Sequence, residues 1–236
     1  MKSLGIIPAR FASTRFPGKP LVDIKGKTMI QRVYEQALLS KLDKVVVATD
    51  DERIAAEVTR FGGEFVMTAS THQSGTDRCA EVAQILSGYK VIVNIQGDEP
   101  FIDPTQINLI CDCFTDEHVQ LATLIKEIHS EDELLNPNQP KVVIGQQQQA
   151  LYFSRHPIPY LRNPSQFHQF YKHIGIYGYK ASILLEITKL PPSSLELAES
   201  LEQLRWIENG YQIQTKLTDI ETIAIDSPSD LLKINF

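Results

Sequence analysis

The sequence predicts an α/β layered fold with a mostly parallel central sheet. Short apolar runs alternate with segments of helical hydrophobic period, the pattern of successive strand–helix units. Strand candidates of the first half are Leu4–Pro8, Lys44–Thr49, Glu64–Met67 and Val91–Gln96. No linker is rich enough to separate two cores, so the 236 residues are expected to form a single domain, residues 1–236.

Helix candidates lie between these strands. Residues 29–38 carry one apolar stripe, residues 51–60 have acidic residues in the first turn, and residues 79–86 repeat apolar side chains at helical spacing. Asp103 and Pro104 are typical of a helix start, because aspartate caps free N–H groups and proline fits the first helical position. The first half therefore consists of strand–helix units.

The second half is richer in strands. Its strand candidates are Leu121–Ile128, Lys141–Ile144, Ala150–Phe153, His173–Tyr179, Tyr211–Leu217 and Thr222–Ile225. One helix is predicted over Ala181–Lys189, and another has an apolar face that runs from Leu197 to Ile207. A last helix is predicted to begin at Pro228, behind a Ser227 cap.

Composition and charge argue against several classes of function. The net charge of −6 disfavours a general nucleic-acid binder, which usually needs a basic face. No apolar run could span a bilayer and no secretory signal is recognisable, so we expect a cytoplasmic protein without membrane insertion. The cysteines Cys79, Cys111 and Cys113 are too few for a disulfide framework.

A basic loop follows the first predicted strand. Arg10, Arg15 and Lys19 lie in a short stretch with small residues and a Pro-Gly turn. Arginine offers forked donors to phosphate oxygens, and lysine offers a mobile charge. A Walker phosphate loop is excluded because Pro20 follows Gly18 and Lys19, and the glycines of a dinucleotide fingerprint are missing. The loop predicts a phosphate site, with a solvated basic surface as the alternative.

Two aspartates follow predicted strands. Asp98, in Gln96-Gly-Asp-Glu-Pro100, ends an apolar strand, and ligands of open α/β sheets lie beyond the carboxyl ends of strands. A carboxylate beside bound phosphates needs a cation between them, and Mg²⁺ prefers this set of oxygen donors. Asp226 follows another predicted strand. The pair would suit magnesium-assisted nucleotidyl transfer. The alternatives are a helix cap for Asp98 and a turn residue for Asp226.

A third informative segment is His72–Arg78. Its Ser-Gly-Thr turn opens a helix and offers free N–H groups and hydroxyls to a base or a sugar edge, although an ordinary helix start is equally compatible. Polar groups on later apolar elements could bind a second, acidic substrate: Tyr152, Arg155, His173, Tyr177, Glu202, Gln203 and Arg205. Nucleophilic hydrolase chemistry has no support, since no Gly-x-Ser-x-Gly elbow exists.

An ordered set of motifs covers nearly the whole chain. The motifs are Ile7–Leu21, Val47–Asp50, His72–Arg78, Asn94–Pro100, Ala150–Arg155, Lys172–Tyr179, Leu201–Arg205 and Ile225–Leu231. In this order they resemble the 3-deoxy-manno-octulosonate (KDO) cytidylyltransferase family. The resemblance implies the Rossmann-like layered fold of nucleotide-diphospho-sugar transferases. It also implies a homodimer, with a strand-rich sub-lobe at roughly 119–180 for dimerisation and sugar binding.

The same resemblance implies an activity and a set of site residues. CMP would pass from CTP to KDO with Mg²⁺, giving CMP-KDO and pyrophosphate for lipopolysaccharide biosynthesis. Catalytic roles are implied for Arg10, Lys19 and Asp98, and metal binding for Asp98 and Asp226. Nucleotide binding is implied for Pro8, Ala9, Arg10, Arg15, Lys19, Gln73, Ser74, Gly75, Asp77 and Arg78. Sugar binding is implied for Gln96, Arg155, His173, Tyr177, Glu202 and Gln203.

Two stretches depart from the family's pattern near the expected sugar site. Leu197–Leu201 lacks a His-rich turn, and Arg162–Gln169 matches poorly. Another 2-keto sugar acid, such as 8-amino-KDO or a sialic acid, therefore stays open as the substrate. A non-catalytic nucleotide-sugar binding protein on the same fold is a third hypothesis, and such a protein would bind CTP without releasing pyrophosphate.

Overall fold

A computed structural model of the chain describes residues 1–12, 16–163, 165–221, 224–225 and 227–233. Its strands are β1 Ser3–Ala9, β2 Asp23–Ile24, β3 Lys27–Thr28, β4 Lys44–Thr49, β5 Phe65–Met67, β6 Val91–Asn94, β7 Leu121–Glu127, β8 Lys141–Ile144, β9 Ala150–Ser154, β10 Tyr171–Lys180 and β11 Ile213–Leu217. Its helices are α1 Met29–Leu38, α2 Glu52–Arg60, α3 Gly75–Ile85, α4 Pro104–Cys113, α5 Glu131–Leu135, α6 Ala181–Ile187, α7 Ser194–Glu199 and α8 Gln203–Glu208. Short 3-10 turns span Lys19–Leu21 and Pro228–Lys233.

The main sheet has the strand order β11-β7-β10-β6-β1-β4-β5, with β8 and β9 attached beside β10. Strands β6, β1, β4 and β5 pair in parallel, as do β7 and β11. Strand β10 runs antiparallel to β6, β7 and β8. The predicted α/β class with a mostly parallel central sheet is therefore confirmed, and the antiparallel pairs lie in the second half.

Alternate residues of the central strands pack on opposite faces of the sheet. Leu4 and Ile6 of β1 join one buried cluster, while Ile7 and Ala9 join the other. The first cluster contains side chains of α3, α6 and α8, and the second contains side chains of α1, α2 and α4. Strand β1 thus lies in a sheet covered by helices on both faces, which explains its continuous apolar sequence.

The predicted capped starts of α2 and α4 are confirmed. The carboxylate of Asp51 accepts a hydrogen bond from the N–H of Arg53 and caps α2, and that of Asp103 accepts from Thr105 N–H at 2.7 Å and caps α4. Helix α4 begins at Pro104, as expected. None of the helices formed by the described residues combines the length and the hydropathy needed to cross a bilayer.

The single helix predicted from Leu197 to Ile207 is wrong. The structure has two short helices, α7 and α8, separated at Ser200, whose φ of 52° is left-handed and ends α7. Leu197 is 69% exposed and Leu201 is buried, so the two side chains do not share one apolar face. The spacing of leucines was misleading because it extends over two short helices that are interrupted at Ser200.

Other differences concern element ends. Strand β6 stops at Asn94 instead of Gln96, and the turn at residues 97–98 places Gly97 against the carbonyl oxygen of Pro8 in β1. Strand β11 begins at Ile213, two residues later than predicted. The strand predicted over 222–225 lies partly outside the described residues, and residues 224–225 are not in a strand. The last predicted helix is the 3-10 turn, where Ser227 N–H donates to Asp230 at 2.9 Å.

Candidate active site

A cavity of about 310 Å³ lies at the carboxyl ends of β1 and β6. The loop after β1 contributes Pro8, Ala9, Arg10, Lys19 and Pro20. The start of α3 contributes His72, Gln73, Ser74, Gly75 and Arg78, and the loop after β6 contributes Gln96, Gly97 and Asp98. The three sequence segments predicted to bind phosphate, base and metal therefore meet in one cavity, at the edge where α/β sheets bind ligands.

Two predicted catalytic residues form an ion pair inside this cavity. Lys19 Nζ lies 2.7 Å from Asp98 Oδ2, and the two side chains are only 16% and 26% exposed. Arg10 also lines the cavity and is exposed at its rim. The predicted phosphate ligand Arg15 lies outside the described residues. The cavity thus combines cationic groups with one carboxylate, the charges expected around a triphosphate and a metal ion.

A close backbone approach brings the two strand ends together. A Cβ atom on Gly97 would lie 2.8 Å from the carbonyl oxygen of Pro8, which is shorter than any ordinary contact. Glycine is therefore needed at this position. The N–H of Ile225 donates to the carbonyl oxygen of Asp98 at 2.9 Å and brings the C-terminal segment to the same loop. Asp226, the second predicted metal ligand, lies outside the described residues.

The start of α3 forms one wall of the cavity. Ser74 caps the helix, and Ser74 and Asp77 exchange side-chain to backbone hydrogen bonds of 3.1 Å in a capping box. Gly75 lies against Pro8, since a Cβ atom there would be 3.4 Å from its Cγ. Asp77, a predicted nucleotide ligand, does not line the cavity, because its carboxylate points back to the Ser74 N–H. Its nucleotide role stays a prediction.

Arg78 is buried at the base of this wall. Its guanidinium donates to the hydroxyl of Thr68 and lies 3.3 Å from Asp50 Oδ2. The side chain is only 5% exposed, so a neighbouring carboxylate is needed to offset the cost of burying the charge. Arg78 therefore presents a fixed cation beside the turn that was predicted to hold the base.

His72 was not among the predicted site residues, although it begins one of the quoted motifs. It lines the cavity, and its Nε2 lies 2.5 Å from Glu81 Oε2. The same carboxylate oxygen accepts the N–H of Ala69 at 2.9 Å. The bond to His72 holds the pKa of Glu81 below its ordinary value. Glu81 thus holds both Ala69 and His72, the two ends of a short segment before α3. The sequence alone does not reveal this contact.

Gln96 links the cavity to β10. Its side-chain nitrogen donates to the carbonyl oxygen of Gly175 at 2.8 Å, at an irregularity of β10 between Ile174 and Tyr177. Strand β10 carries His173 and Tyr177, two of the predicted sugar ligands. The ring centroids of these two residues are 5.2 Å apart. The side-chain amide of Gln96 therefore connects the cavity with the strand that carries these two sugar candidates.

A second group of polar residues, which we call the inner polar group, consists of Glu202, Gln203, Tyr177 and His173. Glu202 accepts a hydrogen bond of 2.6 Å from Thr76 in the first turn of α3, and burial raises the pKa of its carboxyl. Burial lowers the pKa of His173 to about 3, so its ring is neutral at pH 7 and lies 2.9 Å from the Thr123 hydroxyl. Among the described residues, Tyr177 Oη and Gln203 Nε2 are buried without a hydrogen-bond partner.

Arg155 lies apart from this group. Its guanidinium donates to three backbone carbonyl oxygens, those of Glu199 at 2.7 Å, Pro137 at 2.9 Å and Ser200 at 3.3 Å. In return, the Glu199 carboxylate accepts the Arg155 N–H at 2.9 Å. Arg155 is therefore a support for the junction of α7 and α8 in this structure, and its predicted contact with sugar stays a prediction.

The family model for cytidylyltransferases matches residues 4–220. A 3-deoxy-manno-octulosonate cytidylyltransferase of Parabacteroides distasonis is 60% identical, with 99% of this chain and 96% of the relative covered. The chain belongs to this cytidylyltransferase family. The resemblance seen in the sequence motifs is thereby confirmed.

Two further relatives of the 3-deoxy-manno-octulosonate cytidylyltransferase family agree. The family member of Bacteroides thetaiotaomicron is 57% identical over 98% of this chain and 96% of its own length. A solved structure of CMP:2-keto-3-deoxy-manno-octonic acid synthetase complexed with CTP has a TM-score of 0.94 at 44% identity, covering 99% of this chain and 96% of that chain. The expected nucleotidyltransferase fold is confirmed over the whole length.

Proposed function

We propose that this protein transfers CMP from CTP to 3-deoxy-D-manno-octulosonate and releases CMP-KDO and pyrophosphate. The observation that carries the proposal is the cavity at the ends of β1 and β6. There the Lys19–Asp98 pair, the start of α3 and the connection through Gln96 to the inner polar group occur together, in a chain whose family relatives bear this activity in their names.

The cationic side of the cavity would hold the triphosphate. Arg10 and Lys19 lie on the loop after β1, where their charges can neutralise phosphate oxygens. Arg15 belongs to the same loop in sequence and is proposed to act with them. The turn from Gln73 to Arg78 would hold the cytidine, because its hydroxyl and amide groups suit a base better than a phosphate.

The inner polar group would hold the sugar acid. Leaving buried polar atoms without partners costs free energy, so Tyr177 Oη and Gln203 Nε2 favour a polar ligand beside them. A sugar acid is rich in hydroxyls that can donate to and accept from such atoms. No specific contact favours 8-amino-KDO, a sialic acid or a non-catalytic role, and the curated relatives carry the KDO name.

In the reaction, the anomeric oxygen of KDO would form a bond to the α-phosphorus of CTP. The bond from that phosphorus to the oxygen bridging the β-phosphate breaks, pyrophosphate leaves, and the proton of the sugar hydroxyl passes to solvent water. Arg10 and Lys19 would stabilise the negative charge that grows on the leaving pyrophosphate. Because the two substrates are held by adjoining groups of residues, catalysis would depend mainly on positioning and charge neutralisation, without a covalent enzyme intermediate.

We propose Mg²⁺ as the cofactor, held by Asp98 and by Asp226. Among the described residues, no group of three or more His, Cys, Asp or Glu side chains could hold a metal ion without help. Mg²⁺ usually keeps several waters and takes further ligands from substrate phosphates, so one or two carboxylates beside a phosphate cavity fit this ion. When bound, it would supply charge neutralisation at the attacked phosphate.

We further propose a homodimer that contacts its partner through the strand-rich sub-lobe, roughly 119–180. Two large aromatic side chains of this region are almost fully exposed, Tyr160 at 88% and Phe167 at 86%. Aromatic residues are enriched at interfaces between proteins, which supports the assignment. We also place the reaction in the cytoplasm, ahead of lipopolysaccharide assembly. Light scattering after size-exclusion chromatography would test the dimer.

The decisive experiment measures pyrophosphate release from CTP and Mg²⁺, with and without KDO. Release that requires KDO would establish both the reaction and the sugar. A panel with 8-amino-KDO and sialic acid would show whether the sugar site is selective. CTP binding without pyrophosphate release from any of these sugar acids would contradict the proposed activity and favour a binding protein.

A further inference from the structure

The basic loop is closed at its base by a backbone hydrogen bond. The N–H of Gly18 donates to the carbonyl oxygen of Phe11 at 3.0 Å. The two residues immediately outside this bond are Arg10 and Lys19, both of which line the cavity. The backbone at these two cationic residues therefore lies directly beside the hydrogen bond that closes the loop.

The ring of Phe11 covers the other closing residue. Gly18 has a φ of 72°, and a Cβ atom on it would lie 3.2 Å from Cε2 and Cζ of the Phe11 ring. The left-handed backbone and the close ring together favour glycine at this position. The ring thus packs directly on the backbone that leads into Lys19.

Arg53, near the start of α2, holds this ring from outside the loop. Its guanidinium carbon lies 3.3 Å from the centre of the Phe11 ring. The guanidinium is itself held by both carboxylate oxygens of Asp51, at 2.9 and 2.6 Å. Asp51 also caps α2, so a rigid helix end fixes the arginine that contacts the ring. We call Phe11, Gly18 and Arg53 the loop clamp.

The position of the clamp does not suit a role in folding stability or in direct contact with substrate. The Arg53 side chain is 59% exposed, and exposed cation–ring and ion-pair contacts contribute little to folding. Arg53 and Phe11 do not line the cavity. Their contacts instead lead from α2 through the ring to Gly18, and so to Lys19 and its partner Asp98.

We propose that Arg53, acting through the Phe11 ring, is a positioning residue for the cationic residues Arg10 and Lys19 that receive the CTP triphosphate. The proposal rests on the proposed function, because it assigns those residues to the nucleotide. The loop clamp is therefore expected to change the affinity for the nucleotide without changing the affinity for the sugar acid.

The test compares Arg53→Ala with Arg60→Ala. Arg60 lies on the same helix, is equally exposed and pairs with Glu57, and it makes no hydrogen bond or ion pair with the described residues of the loop. Arg53→Ala is expected to weaken CTP binding about fivefold, measured by calorimetry without sugar, because an exposed cation–ring contact has about that effect. Arg60→Ala should bind CTP like the wild type. The KM for KDO and the melting temperature should stay unchanged in both variants.

Rescue and coupling sharpen the test. Arg53→Lys keeps a cation over the ring and should restore CTP affinity to within about twofold of the wild type. Phe11→Leu removes the aromatic face, so adding Arg53→Ala to it should cost no further affinity if the two side chains act as a unit.

Two results would overturn the proposal: equal CTP affinity in Arg53→Ala and Arg60→Ala, or a parallel loss of CTP affinity, KDO affinity and melting temperature. Failure of the proposed function would be distinct, since it would show in the wild-type pyrophosphate assay, whereas CTP binding is measured without turnover.

Discussion

Lys19 and Asp98 form an ion pair that joins two loops of the cavity, with 2.7 Å between Nζ and Oδ2. One residue follows β1 and the other follows β6, so the pair joins neighbouring parallel strands. Both side chains are largely shielded from water, which strengthens their attraction relative to a surface pair. The pair therefore holds both groups in the cavity that we propose for the nucleotide and the metal ion.

Replacement of Asp98 by asparagine is expected to reduce turnover about 10³-fold, because one preorganised charged group at a transferring phosphate has an effect of this order. CTP should still bind, since the Lys19 side chain would face phosphate without a competing carboxylate. Pyrophosphate release measures the first effect. Calorimetry of CTP binding at varied Mg²⁺ concentration measures the second and should lose its dependence on magnesium.

Asp112→Asn is the matched control for this variant. Asp112 also pairs with a lysine, Lys41, but it lies outside the cavity. Its replacement should leave turnover and magnesium dependence intact. Wild-type turnover in Asp98→Asn would refute the metal role given to this carboxylate.

Gly97→Ala is expected to separate the ends of β1 and β6. The added Cβ atom would meet the Pro8 carbonyl oxygen at 2.8 Å, and backbone cannot move aside as cheaply as a flexible side chain. Overpacking of this kind lowers the free energy of unfolding by about 1–3 kcal/mol. Turnover should fall as well, because the Lys19–Asp98 distance depends on this approach.

The control for this variant is Gly175→Ala. A Cβ atom on Gly175 would meet nothing within 4 Å, and its φ is not in the left-handed region. Urea denaturation should show a clear loss of stability in the first variant and almost none in the second. Equal stability of the two variants would mean that the strand ends have room to adjust.

Glu202→Gln should change how stability depends on pH. Burial raises the pKa of Glu202, so the folded protein keeps a proton there after the unfolded chain has lost it. The folded state then binds more protons than the unfolded state, and wild-type stability falls as pH rises from 4.5 towards the raised pKa. Glutamine does not titrate, so the variant should gain stability relative to the wild type over this range.

Glu196→Gln provides a comparison of opposite sign. Its pairing with Arg205 holds the pKa of Glu196 below the ordinary value, so the charged carboxylate stabilises the fold at neutral pH and this contribution is lost in acid. This variant should be less stable than the wild type at neutral pH, with a difference that shrinks as pH falls. Denaturation curves at several pH values would reveal a wrong sign for either residue.

Lys172→Ala is expected to destabilise the fold by about 1–3 kcal/mol, because it removes hydrogen bonds to two carboxylates and the packing of a buried side chain. The Lys172 side chain is 2% exposed and lies 2.7 Å from Glu133 and 2.9 Å from Glu221. Lys44→Ala removes a more exposed pair with Glu64 and should cost less than about 1 kcal/mol. A smaller effect in Lys172→Ala than in Lys44→Ala would contradict the importance of burial.

The sequence predicted the first half of the fold well because local signals agree there. The apolar run of β1, the Asp51 cap of α2 and the Asp103–Pro104 start of α4 each depend on neighbouring residues only. The same holds for the cavity residues on the loops after β1 and β6, since strand ends in a parallel sheet share one edge. Local pattern and overall fold point to the same structure in this region.

Long-range contacts explain what sequence reasoning missed. Glu81 forms hydrogen bonds with His72 and Ala69. The guanidinium of Arg155 donates to carbonyl groups at the junction of α7 and α8, which is distant in sequence. No spacing along the chain reveals either relation. The break at Ser200 was missed because a left-handed residue between two short helices leaves their apolar spacing intact. Such features depend on contacts between elements that are far apart in sequence.

The capping box of α3 makes the distribution of charge around the cavity asymmetric. Asp77 places a negative charge in the first turn of this helix, where the free N–H groups would otherwise attract an anion. Cationic side chains of the loop after β1 lie on another wall. A nucleotide with its triphosphate towards that loop would place its charges beside the cations, whereas the opposite orientation would place them at a helix start whose attraction for anions Asp77 reduces. The two orientations of a nucleotide in this cavity are therefore electrostatically unequal, and the one with its phosphates at the loop after β1 is favoured.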